Sequence, residues 1–125
     1  MVLTQIEKNT ESAKSGKGKS KLQPGEALDL AGLVNYGEDS IVSRTLVNNS
    51  AGTVTLFAFD EGQGLSEHTA PFDAYVQVVA GELEIKISKE PYLLSTGDML
   101  IMPANEPHEL LAKNPVKMLL VMIRS

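Results

Sequence analysis

The chain has 125 residues, no cysteine and a formal net charge of -5 at pH 7. This length suits one domain, and the lack of cysteine excludes disulfides, thiolate metal sites and cysteine nucleophiles. No stretch reaches the roughly 20 apolar residues of a membrane span, and residues 1–24 lack the apolar run of a secretory signal, so we predict a cytoplasmic protein without a membrane partner.

The charged residues are distributed unevenly, with a basic N-terminal tail and an acidic body. Residues 1–24 hold five lysines and two glutamates, whereas residues 25–125 hold six basic and fourteen acidic side chains. We predict a flexible, solvated tail over residues 1–24, because its lysines alternate with serine and glycine. An acidic body repels phosphate backbones, so we expect the domain of residues 25–125 not to bind nucleic acid.

The sequence of residues 27–60 predicts two strands and one element of ambiguous type. Residues 27–34 are a short apolar run that suits either a strand or a helical turn. Residues 40–49 and 53–60 are rich in Thr, Val, Ile and Phe and flank Ser-Ala-Gly, which indicates two strands joined as a hairpin.

A second hairpin is predicted around Gly81. Its strands are residues 72–80 and 82–88. In the second strand apolar residues alternate with polar ones, at Leu83, Ile85 and Ile87. This period of two indicates a strand with one buried face and one solvated face.

The remaining strands are predicted at residues 92–95, 99–102, 109–112 and 117–123. The last of these is apolar on both faces, which means either that it lies centrally in its sheet or that a second subunit covers it. On this ground we predict a homodimer. Many short strands with regularly spaced turns, and no amphipathic helix, indicate an all-β sandwich or barrel.

The two histidines of the chain each belong to a segment bounded by turn residues. In the first segment, residues 62–81, Gly62 is followed after five residues by His68, and the segment closes at Gly81. In the second, residues 97–112, Gly97 is followed after five residues by Pro103, and His108 comes five residues later. Histidine is the commonest metal ligand in proteins.

These two segments resemble the paired motifs of the cupins, G(x5)HxH(x3-4)E(x6)G and G(x5)PxG(x2)H(x3)N. The glycines of the first motif, the glycine and proline of the second, and one histidine of each fit without a gap. The resemblance covers roughly residues 40–124. It implies a small single-domain cupin, in which a double-stranded β-helix, or jelly-roll barrel, binds a small molecule and in many members a metal.

Four positions depart from the family pattern. Ala70 stands at the second histidine position of the first motif and Ala74 at its glutamate position. Asn105 stands at the glycine position of the second motif and Ala112 at its asparagine position. The resemblance therefore implies two of the four metal ligands of the family. An alternative register, with Ser66 at the first histidine position and His68 at the second, requires a longer spacing to the next carboxylate.

We predict a metal site formed by His68, His108 and Asp73, since a bulge would bring Asp73 into the barrel from one residue before the glutamate position. Two imidazoles and one carboxylate suit iron, manganese, nickel or zinc. The alternative for Asp73 is a turn cap. A ligand pocket is expected beside the histidines, with the lining residues Ser66, Gln77, Phe57 and Met102, and with Val76, Val78, Met99 and Ile101 as further candidates.

Three functions remain open from the sequence. The first is a metal-dependent enzyme, such as a dioxygenase or a sugar isomerase. The second is a metal-free module that binds or senses a small ligand such as a sugar or small acid, and the third is a structural domain without catalysis. The fold alone does not separate them, because function resides in the site.

Overall fold

The computed structural model describes residues 22–124, so nearly all of the predicted tail lies outside the described residues. Within that range the chain forms nine strands and one short 3-10 helix at Leu30–Leu33. The strands are β1 (Ile41–Asn49), β2 (Gly52–Phe59), β3 (Gly64–His68), β4 (Ala74–Ala80), β5 (Glu82–Ile87), β6 (Glu90–Ser95), β7 (Met99–Met102), β8 (His108–Ala112) and β9 (Val116–Ile123). The prediction of an all-β fold is confirmed.

The strands form two antiparallel sheets that enclose one core. The larger sheet has the order β1-β2-β9-β4-β7, and the smaller has the order β3-β8-β5-β6. Apolar residues from both sheets form a single buried cluster, which includes Phe57, Phe59, Met118, Leu83 and Ile85. Because each strand alternates between an inward and an outward face, both sheets supply every second residue to this core. The arrangement is the double-stranded β-helix expected from the two motifs.

One of the two predicted hairpins forms and the other does not. Strands β1 and β2 pair with each other, as expected. The hairpin around Gly81 is wrong, because β4 pairs with β7 and β9 whereas β5 pairs with β6 and β8. The turn at Gly81 therefore carries the chain from one sheet to the other. Periodicity and turn residues locate strand ends, but they do not specify the neighbour with which a strand pairs.

Strand β9 owes its two apolar faces to its central place in the larger sheet. Its inward residues Met118 and Leu120 are buried in the main core. Its outward residue Leu119 packs against a second, smaller cluster that contains Val34 and Leu30. The ambiguous apolar run at residues 27–34 thus forms a 3-10 helix and adjoining chain that cover part of the outer face.

Positive backbone φ angles occur at the anchoring positions of both motifs. Gly62, Gly81 and Gly97 have φ of +83°, +96° and +95°, and Asn105, at a glycine position of the family pattern, has φ of +66°. Asparagine is the side chain that best tolerates this left-handed region after glycine. The departure at Asn105 therefore preserves the backbone conformation that the turn requires.

Alanine substitutions at Gly97 and Gly81 form a matched pair that tests the turn geometry. Gly97→Ala is expected to cost about 1–2 kcal/mol of unfolding free energy, from the left-handed backbone alone, because a Cβ there meets no atom within 4 Å. Gly81→Ala is expected to cost about 1–3 kcal/mol more, since its Cβ would overlap the carbonyl oxygen of Pro115. Urea unfolding of both variants measures the difference, and equal losses would contradict the close approach at Gly81.

Candidate functional site

The two histidines lie side by side across neighbouring strands of the smaller sheet. His68 is the last residue of β3 and His108 the first of β8, and the register pairs them directly. An irregularity between Leu65 and His68 shifts the register. The imidazole rings lie edge to face with centroids 4.4 Å apart. Fold topology therefore brings together two residues that are forty positions apart in sequence.

Each imidazole is held by a backbone carbonyl two residues before it. Nδ1 of His68 lies 2.7 Å from the carbonyl oxygen of Ser66, and Nδ1 of His108 lies 3.1 Å from that of Glu106. A carbonyl oxygen only accepts hydrogen bonds, so each Nδ1 carries the hydrogen and donates. These bonds fix the ring orientation and, for a neutral imidazole, the tautomer with its hydrogen on Nδ1.

The opposite nitrogen of each ring is left as an unpaired acceptor. Nε2 of His68 and Nε2 of His108 are the buried side-chain polar atoms without a hydrogen-bond partner among residues 22–124. Since both are acceptors in this tautomer, they cannot bond to each other. An unpaired buried polar atom costs about 1–3 kcal/mol, and here two such atoms belong to rings whose centroids lie 4.4 Å apart.

The environment of His108 favours its neutral form. Its side chain is buried, with 2% relative exposure. Burial lowers the pKa of His108, the neighbouring His68 lowers it further, and the hydrogen bond to the Glu106 carbonyl opposes them. Neutral imidazole with its hydrogen on Nδ1 leaves the lone pair of Nε2 free to accept a hydrogen bond or to coordinate a metal ion.

Asp73 is placed away from the histidines. Its Oδ1 accepts a hydrogen bond of 2.8 Å from the backbone N–H of Ala104, and its side chain is exposed on the outer surface. Among residues 22–124 no three His, Cys, Asp or Glu side chains group as metal ligands. Residues 22–124 therefore do not bring Asp73 into a three-ligand set with the histidines, and Asp73 caps the turn at residues 104–105 rather than the local turn expected as its alternative.

The two alanines at the family's ligand positions are buried. Ala70 is 3% exposed and Ala74 is 1% exposed. Ala74 pairs with Met102 of β7 and with Met122 of β9. The carbonyl of Ala70 accepts a hydrogen bond from the N–H of Asn105, which ties the first motif to the turn that precedes His108.

The residues expected to line a ligand pocket divide between the two faces of the sheets. Phe57 and Met102 are buried in the core, as are Val76 and Val78. Gln77 alternates with these valines and lies on the outer face, where Tyr75 donates a hydrogen bond to its Oε1. Ser66 is exposed, and its contribution to the histidine site is its backbone carbonyl.

Met99 and Ile101 also face outward, with 45% and 52% exposure. Both lie on β7, where Leu100 and Met102 take the inward positions. All four residues of this strand are apolar, so periodicity did not distinguish its two faces. These two side chains do not line the barrel interior.

A groove of about 610 Å³ lies on the outer face of the larger sheet. Its lining residues are Pro71, Phe72, Asp73, Tyr75, Ile101, Ala104, Val121 and Ile123. Neither histidine contributes to it. The groove is therefore distinct from the histidine site inside the barrel.

Two features of the site lie outside what residue spacing reveals. The first is the pair of carbonyl anchors, since backbone acceptors leave no side-chain signal in a sequence. The second is the irregularity in β3 that lets both Leu65 and His68 face inward. Each anchoring carbonyl belongs to the residue two positions before its histidine. This equivalence of the two histidines becomes visible only when β3 is paired with β8.

Two facing sheets with a histidine from each of two adjacent strands define a small cupin-type barrel. The family model for the cupin domain matches residues 55–123, and the chain belongs to this family. No curated protein matches the chain.

Several solved structures share the fold over most of the chain. A conserved protein of unknown function from Streptococcus pyogenes has 36% identity and a TM-score of 0.79, covering 85% of this chain and 93% of its own. A cupin superfamily protein from Desulfitobacterium hafniense has 26% identity and a TM-score of 0.79, over 85% and 97%. A cupin barrel domain protein from Leptotrichia buccalis has 34% identity and a TM-score of 0.73, over 78% of this chain and 47% of its own.

No helix among residues 22–124 is long and apolar enough to span a membrane.

Proposed function

We propose that the chain binds a divalent transition-metal ion through Nε2 of His68 and Nε2 of His108, and that a small molecule occupies the remaining positions on the ion. The observation that carries this proposal is the pair of buried Nε2 acceptors without a partner in the described chain. Iron, manganese, nickel and zinc all accept imidazole nitrogen.

The arrangement of the rings supports one shared ion. Metal–nitrogen bonds of about 2.0–2.1 Å keep two ligand nitrogens within about 4.2 Å of each other, which suits rings in contact with centroids 4.4 Å apart. The Nδ1 bonds to Ser66 and Glu106 are of the kind that orient metal-binding histidines in other proteins. A bound ion would act as a Lewis acid that orients a sugar or small acid.

A metal-free binding module is the second candidate. Two neighbouring acceptors also suit two donors of one ligand, such as adjacent sugar hydroxyls. The observation that favours it is the lack of a third ligand residue among residues 22–124. A purely structural role is the least favoured, because two buried unpaired acceptors lower stability without a compensating bond.

Calorimetric titration of the untagged protein with Ni²⁺, after removal of metal by a chelator, tests the proposal. We expect one ion per chain. The matched control is Asp73→Asn, which we expect to bind the metal like the unchanged chain, because Asp73 caps a turn on the outer surface. Binding of less than about 0.1 equivalent after reconstitution would exclude the metal site and leave the metal-free module.

The homodimer and the cytoplasmic location stay predictions. The surface we assign to a second copy is the outer face of the larger sheet, where Ile101 and Ile123 are 52% and 62% exposed. An exposed apolar patch of this kind suits a two-fold contact with the same patch of a second copy.

A further inference from the structure

The outer face of the larger sheet is covered at one end and uncovered at the other. At the covered end, Leu119 of β9 packs against the cluster that residues 30–34 form. Further along the same face of β9, Val121 and Ile123 line the groove instead, and Ile123 is 62% exposed. The groove therefore continues a face that the N-terminal part of the described chain has already begun to cover.

The groove offers apolar surface and few free polar atoms. Tyr75 pairs with Ile101 on one side and with Val121 on the other, so these three side chains form a row across three neighbouring strands. The Tyr75 hydroxyl already donates to a side chain of its own strand, and Oδ1 of Asp73 already accepts a backbone N–H. Small polar ligands need several convergent polar groups, so the groove is better suited to an apolar segment of chain.

The sequence that precedes the described residues contains such a segment. Among residues 1–21 every apolar side chain larger than alanine lies within residues 1–6, and these are Met1, Val2, Leu3 and Ile6. Residues 7–21 hold alanine as their only apolar side chain and are otherwise mostly lysine, serine, glycine and glutamate. The tail thus consists of a short apolar segment and a polar connector that joins it to residue 22.

The connector is long enough for the segment to reach the groove of its own chain. Its fifteen residues, 7–21, span at most about 50 Å, and a chain of this composition has a root-mean-square span of about 20 Å. A folded domain of about 100 residues has a radius of gyration of only about 13 Å. A segment tethered by a short linker has an effective concentration on the order of 1 mM, so a weak contact is sufficient to keep it docked.

Charge also favours the chain's own tail over a second copy. Residues 1–24 carry five lysines and two glutamates, a net charge of +3, whereas residues 25–125 carry six basic and fourteen acidic side chains, a net charge of -8. Opposite charges hold the tail close to the body, while two acidic bodies repel each other. The more favourable occupant of the groove is therefore the N-terminal segment of the same chain.

We propose that residues 1–6 dock in the groove of their own chain and cover the apolar row of Tyr75, Ile101 and Val121. Neither histidine lines this groove, so the inference is independent of the proposed metal site. Docked residues 1–6 would also cover Ile101 and Ile123, and a second copy would have to displace them before it could use this face.

Paramagnetic broadening of NMR signals tests the docking directly. The chain has no cysteine, so Gln5→Cys provides a single attachment point for a nitroxide beside the apolar side chains. In the ¹⁵N-enriched protein we expect the amide signals of Tyr75, Ile101 and Val121 to lose most of their intensity, relative to the same protein with the nitroxide reduced. Signals from the opposite, smaller sheet are expected to keep theirs.

Two pairs of substitutions in the labelled protein separate apolar docking from attraction by charge. Leu3→Asp with Ile6→Asp is expected to restore the groove signals, because the segment loses its apolar side chains. Thr10→Asp with Ser12→Asp adds the same two negative charges to the connector and is expected to leave the broadening in place. Equal effects of the two pairs would show that charge alone holds the tail, and would overturn the proposal.

A mixed sample identifies the chain that supplies the segment. Nitroxide-labelled chain without ¹⁵N is mixed with ¹⁵N-enriched chain without nitroxide, and we expect the groove signals of the enriched chain to stay sharp. Broadening in this mixture would assign the segment to a second copy and overturn docking within one chain. Sharp groove signals in the singly labelled protein itself would overturn docking altogether. If Ile101→Ser then dissociates a dimer in sedimentation, the groove belongs to the second copy, and either failure leaves the metal site unaffected.

Discussion

His108→Leu is expected to weaken binding of Ni²⁺ by at least about 100-fold, equivalent to about 2.8 kcal/mol. The substitution removes one of two protein ligands, and a single remaining imidazole holds a hydrated ion weakly. His68→Leu is expected to have a similar effect, since both rings present the same Nε2 acceptor. Calorimetric titration of each variant measures the change.

The metal-free stability of His108→Leu distinguishes a binding role from a packing role. Leucine removes the bond to the Glu106 carbonyl, worth about 1 kcal/mol, and it also removes an unpaired buried nitrogen whose cost is similar. We therefore expect the unfolding free energy in the presence of chelator to change by less than about 1 kcal/mol. A large loss of stability with unchanged nickel affinity would assign His108 to the core instead.

Ala74→Glu is expected to raise the affinity for Ni²⁺ by about 100-fold. It restores the carboxylate that the family places at this position, and so offers the ion a negatively charged oxygen ligand. In the absence of metal the variant is expected to lose about 1–3 kcal/mol of unfolding free energy, because Ala74 is 1% exposed. Added nickel should recover much of this loss, since a ligand of the native state stabilises it.

Ala74→Gln is the matched control for this gain. Glutamine has nearly the same volume as glutamate and no charge, so it should share the loss of stability and bind nickel with little gain. The two variants are compared by calorimetric titration and by thermal unfolding with and without nickel. If both bind nickel with the affinity of the unchanged chain, position 74 does not face the metal.

The strands were predictable because burial follows the alternation of apolar and polar residues. In β5, Leu83 and Ile85 are fully buried while Glu82 is exposed, as the pattern indicated. The motif glycines were informative for a related reason, since Gly62, Gly81 and Gly97 occupy left-handed backbone that other residues rarely adopt. These two signals located most of the strands and turns, and the resemblance to the cupin motifs placed both histidines in one barrel.

The side-chain directions of the other candidate site residues were harder to predict, and some depend on contacts that leave no pattern in the sequence. Asp73 precedes a strand, where it could face inward or cap a turn, and the N–H of Ala104 that settles its role is thirty-one positions away. Gln77 lies between Val76 and Val78, which are both buried. Its outward direction was therefore readable from the alternation, and the predicted pocket overlooked that signal.

X-ray absorption spectroscopy of the nickel-loaded protein tests the two-histidine site most directly. The spectrum is expected to show two imidazole ligands on each ion, with oxygen atoms in the remaining positions. His68 and His108 are the only histidines in the chain, so two imidazoles identify both residues at once. A first shell of oxygen alone, or of a single imidazole, would contradict the site.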